Sequence, residues 1–293
     1  MKSELSNDKK ETDITFDENA TTKEVLLYLA ELAKHHEFVY RGYSKQEELL
    51  PGIIREGSKY NEKKLLTDLE RYGGHYIHVI SPIEFISCAQ HFGLPTRLLD
   101  FTHNPFIALY FALYDKKETK YNFEEDKQYY YLRYANIKNN LTVRTIPIEK
   151  LFSFRELDLS SIAEKTIQTI DWVELMMSSS DKKLISDLEK VIVTDSTDEI
   201  IQNQLRDKVI LFVDPNQSNE RIIMQQGLFM LPYIIDEESH LNILNSNTSL
   251  IKIHKNLRDD LLEYLDGLGF NAFRLMPDLA SICKYLKKRD MNN

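Results

Sequence analysis

Two cysteines, Cys88 and Cys283, are all that the 293-residue sequence holds, too few for a disulfide framework. Neither has a second Cys or a His at metal-ligand spacing, so no metal site is expected, and the shortage fits a reducing compartment. An excess of basic charge is missing too. The formal net charge of −9 argues against a globally basic, salt-driven nucleic-acid binder and leaves room only for a local basic cleft. No apolar run approaches the roughly 20 residues that cross a bilayer. The stretch MKSELSNDKKETDITFDENA lacks the apolar segment of a secretory signal. These absences point to a soluble, cytoplasmic protein with no membrane partner. Internal repeats, heptads, G-x-S-x-G, a P-loop, G-x-G-x-x-G and H-E-x-x-H are also lacking, which removes the common nucleophile, phosphate-cradle and zinc-hydrolase templates.

What is present is ordinary globular material, 42% hydrophobic and 28% charged, in a chain long enough for a sizeable core. Residues 1–21 are polar and aperiodic and read as a flexible tail. Thr21 and Glu24 form a capping box that opens a helix near 22–35. FVYRG (38–42) reads as a strand ending at a glycine, and NEKKLLTDLERYG (61–73) as an amphipathic helix. In SPIEFISCAQHFG (81–93), Ser81 caps, Pro82 sits at N1 and Gly93 stops the helix. Phe85, Cys88, Ala89 and Phe92 share one stripe there, which puts Cys88 in the core rather than in a nucleophile's place.

TRLLDF (96–101) is extended, and Asn104-Pro105 start a second helix carrying FIALYFALY. Strands are expected at 129–135, 141–148, 208–214 and 249–254, and helices at 256–266 and 278–288. RIIMQQGLFMLP (221–232) is a helical turn entering a strand through Gly227. Residues 115–205 are charged and partly helical, a variable insertion. Strand runs mixed with helices, without regular alternation, indicate an α+β architecture with a mixed sheet core and peripheral helices.

Three segments concentrate hydrogen-bonding groups. The first is Tyr40-Arg41-Gly42, where an arginine beside a glycine can present its planar fork to phosphate or carboxylate; an edge-strand arginine paired to a surface acid is the alternative. The second runs from His91 to Asn104 between two apolar helices and holds Thr96, Arg97, Asp100 and Thr102. A loop anchored in this way can present polar groups to a ligand, with the second helix N-terminus offering unpaired N–H groups to an anion. The same residues also make sense without a ligand, as an Asp100–Arg97 ion pair, an Asn104 cap and a His91 held by a helix dipole. The third is Arg221-x-x-x-Gln225, one helical turn apart, so that both side chains can reach one ligand or lie solvated beside a helix cap.

Taken together, Tyr40-Arg41-Gly42, A-Q-H-F-G-L-P-T-R-L-L-D-F-T-H-N-P with A-L-Y-F-A, R-x-x-x-Q-x-G-x-F and Met276-Pro277-Asp278-Leu279 resemble the FRG domain family, named for a Phe-Arg-Gly motif in which Tyr40 here replaces Phe. The resemblance covers residues 22–288, with 289–293 as a short tail. A weaker similarity is to the three-motif plan of ADP-ribosyltransferases: a strand-borne Arg-Gly, a polar segment before an Ala-rich aromatic helix, and a Gln segment leading into a strand.

That second resemblance implies an ADP-ribosyltransferase-like fold and an enzyme using NAD as co-substrate, either transferring ADP-ribose to a protein or nucleic-acid target or hydrolysing NAD. Bacterial antiphage or toxin-type defence is the implied setting. Tyr40, Arg41, Gly42, Thr96, Arg97, Thr102, Asn104 and Arg221 would then contact the nucleotide, and Gln225, His91 and Asp100 would serve the chemistry. The sequence departs from the plan at the third motif. It has Gln225 and Gln226 where a carboxylate is usual, and a carboxamide cannot act as a base, so Asp100 or His91 must supply the missing charge. The alternative is a non-catalytic nucleotide or nucleic-acid binding module that senses a ligand for a partner.

Overall fold

The computed structural model describes residues 13–56, 59–77, 82–114, 128–143, 210–215, 220–232, 236–276 and 278–291. Its centre is an eight-stranded mixed sheet in the order β1-β8-β4-β2-β3-β7-β6-β5. The strands are β1 (Ile14–Phe16), β2 (Phe38–Tyr43), β3 (Leu99–Thr102), β4 (Tyr129–Asn136), β5 (Leu141–Val143), β6 (Leu211–Val213), β7 (Gly227–Met230) and β8 (Ser249–His254). The two outer pairs, β1–β8 and β5–β6, are parallel. Every pairing between them is antiparallel. The α+β expectation of a mixed sheet with helices around it therefore holds.

Alternation along the strands sorts side chains into two cores. Phe38 and Tyr40 of β2 face one way, with Tyr130, Leu132 and Tyr134 of β4 and Ile251 and Ile253 of β8. Over them lie α1 (Thr22–Lys34), α5 (Pro105–Leu113), α8 (Arg258–Gly267) and α9 (Ala272–Leu275). Val39 and Tyr43 face the other way, with Leu99, Phe101, Phe212, Leu228 and Met230, beneath Ile243 and Leu244 of α7 (Glu237–Asn247). The remaining helices are α2 (Gly52–Arg55), α3 (Glu62–Gly73), α4 (Pro82–His91), α6 (Glu220–Gln225) and α10 (Leu279–Met291). No helix among the described residues is long and apolar enough to cross a membrane.

The helix α5 lies directly on β2. A Cβ built on Gly42 would stand 1.7 Å from the carbonyl oxygen of Ala108, so only glycine lets strand and helix approach this closely. The start of α5 follows its sequence: Asn104 accepts from the Phe106 N–H at 2.9 Å and Pro105 fills the first turn. The capping box of α1 also forms, with the Thr21 N–H donating to Glu24 Oε2 at 2.7 Å.

Three elements depart from the sequence reading. Ile14–Phe16, inside the stretch read as a tail, forms β1 by pairing with Ile251–Ile253 of β8, a long-range partner that local composition does not reveal. The helix α7 was not expected; Asp236 caps it by accepting from the Ser239 N–H at 2.8 Å. In α4 the buried apolar residues are Ile83, Ile86 and Ala89, whereas Cys88 is half-buried and Phe92 is exposed. Phe85, Cys88 and Phe92 lie on the helix face opposite Ile83 and Ile86, which is the face that packs inward. Leu94 N–H donates to Ala89 O and Gly93 N–H to Gln90 O, both at 3.0 Å, with Gly93 at φ 95°. That paired closure ends the helix just after Phe92, whose own N–H still donates to Cys88 O at 3.1 Å. Burial pushes the Cys88 thiol pKa up, so the group keeps its proton. The readings of Ser81 as a cap, of 144–148 as strand and of 150–205 as mainly helical lie outside the described residues.

Candidate functional site

The three polar segments meet on neighbouring strands: Arg41-Gly42 on β2, Asp100 and Thr102 on β3, and the turn from Gln225 into β7. β2 meets β3 at Tyr40↔Thr102, and β3 meets β7 at Asp100↔Phe229 and Thr102↔Gly227. Between α4, β3, α6 and β7 opens a small cleft with a cavity volume of about 20 Å3. Gln90, His91, Asp100, Arg221 and Gln225 all line it.

One wall is a chain of hydrogen bonds that ends on a carboxylate. The Thr96 hydroxyl donates to Gln90 Oε1, and Gln90 Nε2 in turn stands 3.0 Å from both Asp100 oxygens. Thr96 also accepts from the Leu98 N–H at 3.3 Å. Asp100 has no ion-pair partner among the described residues; Gln90 supports its carboxylate, and the Arg41 guanidinium bonded to its carbonyl acts on it electrostatically. The opposite wall carries Arg221. Its Nη1 lies 3.0 Å from His91 Nδ1 and its Nε 3.4 Å from Gln225 Oε1. Arginine only donates, so His91 Nδ1 is the acceptor and the neutral ring carries its proton on Nε2. Partial burial, then the Arg221 guanidinium, push the His91 pKa below its usual value, while Asp278 pulls the other way. Gln225 Nε2 donates to Leu275 O at 2.7 Å, which ties α6 to α9.

Several of the expected site residues serve the frame around this cleft. Arg41 does not line it: Nη1 donates to Asp100 O at 2.6 Å and Nη2 to Glu48 O, so the guanidinium braces the carbonyl of the residue whose carboxylate does line it. Burial pushes the Arg41 pKa down, opposed by the nearby Asp100 and Glu48 carboxylates. Tyr40 is core. Arg97 does not pair with Asp100. Its N–H and Nε donate to Glu62 of α3 at 2.8 and 2.7 Å, a buried ion pair that pins the loop from beneath. The charge that Asp100 was read as holding is therefore already held by Glu62. Thr102 donates to Gln225 O at 2.7 Å and accepts from the Asn104 N–H at 3.1 Å, while the His103 N–H donates to Gln226 O at 3.0 Å. The second and third segments are thus sewn together through backbone.

Gln90 and Glu62 went unassigned in the sequence. Gln90 stood in plain view beside His91, and its role follows only from the fold that sets it against Asp100. No local pattern marks Glu62; its partner is 35 residues away and buried with it.

The site is thus a polar cleft between two helices and two strands of a mixed sheet, beside a helix seated on a glycine. The family model of the FRG domain matches residues 36–121. That span holds β2, β3, α4 and α5, hence Arg41, Gly42, His91 and Asp100; Arg221 and Gln225 come from beyond it. No curated protein and no solved structure matches the chain.

Proposed function

We propose that the cleft binds a nucleotide and transfers or hydrolyses its ADP-ribosyl group, with NAD as co-substrate. One observation carries this: an acid, Asp100, and a guanidinium, Arg221, line the same cleft, and neither has an ion-pair partner among the described residues. A ligand that offers a phosphate to Arg221 and a positively charged glycosidic centre to Asp100 satisfies both. The three segments named by the ADP-ribosyltransferase resemblance also sit on adjacent strands, which supports the same reading.

In this mechanism the C–N glycosidic bond of NAD breaks and its electron pair leaves with nicotinamide. The Asp100 carboxylate stabilises the positive charge developing on the ribose, the task that Gln225 cannot perform. Water or an acceptor hydroxyl attacks the sugar and releases its proton to solvent. Arg221 holds phosphate, and neutral His91 fixes Arg221 in place. A setting in bacterial antiphage or toxin-type defence belongs to this proposal and rests on the resemblance alone.

The test is release of nicotinamide from NAD by the purified chain, alone and with a cell lysate as acceptor. D100N preserves shape and lowers turnover about 100-fold or more, the scale of losing one positioned acid–base or electrostatic group. If NAD is neither cleaved nor raises the melting temperature, the proposal fails. The second reading, a binding module without turnover, is favoured by the amide at the third position and by the tie of Gln225 to Leu275 O. It requires NAD-dependent stabilisation with no nicotinamide released.

A further inference from the structure

Phe92 follows the cleft residue His91 and stands at the C-cap of α4, where the paired closure through Gly93 and Leu94 holds its backbone. It is 79% exposed, far more than the apolar stripe of its helix would require. Its ring makes a T-shaped contact with His91, with centroids 5.0 Å apart and planes at 72°. His91 in turn is locked to Arg221 at 3.0 Å. A large, open aromatic surface thereby stands one residue from the cleft wall. Leaving a phenylalanine in water forfeits burial that a core position would gain, and a planar heterocycle stacking on it recovers that contact.

We infer that Phe92 is the platform on which the planar base of the bound nucleotide stacks; this rests on the nucleotide reading of the cleft. The polar walls take the ribose and phosphate, and the phenyl ring takes the base. Phe92 is then a positioning residue that sets affinity for base-bearing ligands and leaves the Asp100 chemistry intact. The base is either the adenine or the nicotinamide ring, which share planar π-faces.

The experiment is calorimetric titration of wild-type chain, F92A and F92W with NAD, ADP-ribose, nicotinamide mononucleotide and ribose 5-phosphate. Unchanged melting curves check folding, since a substitution at so exposed a site has little effect on stability. F92A weakens base-bearing ligands about tenfold, within the range of one lost base–aromatic stack, and F92W restores them. Ribose 5-phosphate binds all three proteins alike. A loss confined to ADP-ribose and NAD places adenine on the ring, and one confined to nicotinamide mononucleotide and NAD places nicotinamide there. If wild type binds NAD and F92A binds every probe equally well, the platform is overturned while the cleft reading stands. Equal weakening of ribose 5-phosphate also overturns it, because the ring then acts by something other than stacking. Failure of wild type to bind any of the four overturns both.

Discussion

Arg41 and His240 grip consecutive carbonyl oxygens of one turn. The arginine on β2 donates through Nη2 to Glu48 O, and the histidine on α7 donates through Nε2 to Leu49 O at 2.8 Å. A strand and a helix far apart in sequence thus clamp the segment that follows β2. Arg41 extends the clamp to β3 through Asp100 O.

Replacing Arg41 should therefore act on stability before it acts on any ligand. Lysine offers donors at a single point and cannot hold both carbonyls, so R41K should lose about 2 kcal/mol or more in urea denaturation. R41A should lose more. A fully stable R41A would show that the clamp is dispensable.

The same turn makes the fold sensitive to acid. His240 is fully buried and its pKa falls from 6.5 to about 4, first through burial and also through Arg41, with its bond to Leu49 O opposing. The unfolded chain binds a proton at His240 at a higher pH than the folded one does. The contribution is complete above about pH 6.5 and is lost as pH falls toward 4, to a total of about 3 kcal/mol. Denaturation midpoints measured from pH 7 to pH 4 should drop accordingly, and H240N should flatten that part of the profile.

Gly42 admits no side chain. With Ala108 O 1.7 Å from the position of a Cβ, G42A must push α5 off β2. The expected loss is about 4 kcal/mol or more, in the exceptional range for single substitutions, seen as unfolding or insolubility on expression. A G42A protein melting near wild type would mean that helix and strand separate easily.

Glu62 and Arg97 form a buried pair whose halves fail separately. E62Q leaves the Arg97 guanidinium buried without its counter-charge and should lose about 3–5 kcal/mol. The double variant E62L/R97M removes both charges and should regain much of that loss, as apolar replacements of buried pairs often do. Chemical denaturation of the three proteins decides it.

Local chemistry made much of the fold legible. The Thr21–Glu24 box, the Asn104-Pro105 start and the Gly227 entry into β7 announce themselves within a few residues, and the structure places each there. The sequence also singled out Asp100, His91, Arg221 and Gln225, and the fold gathers these four around one cleft. What escaped depends on contacts across the chain. β1 exists because β8 accepts it, and α7, rich in Asn and Ser, is secured by Ile243 and Leu244 under the sheet. Arg41 looked like a ligand-binding arginine because a strand-end Arg-Gly offers no local sign of the two carbonyls that occupy it. Phe92 looked buried because Phe85, Cys88 and Phe92 make an apolar stripe, yet the helix buries the opposite face of Ile83 and Ile86.

The sheet order also bears on where this family's signature stops. β2 sits between β3 and β4, and β3 between β2 and β7, yet β4 and β7 both follow residue 121. Residues 36–121 cut out alone would keep one strand pairing and present a bare ladder edge on each side, along with the uncovered face of Phe101, which packs on Phe212. The recognisable signature is therefore the middle of a folding unit and not the unit itself. A shortened chain that keeps every signature residue inherits half of the cleft and an invitation to aggregate.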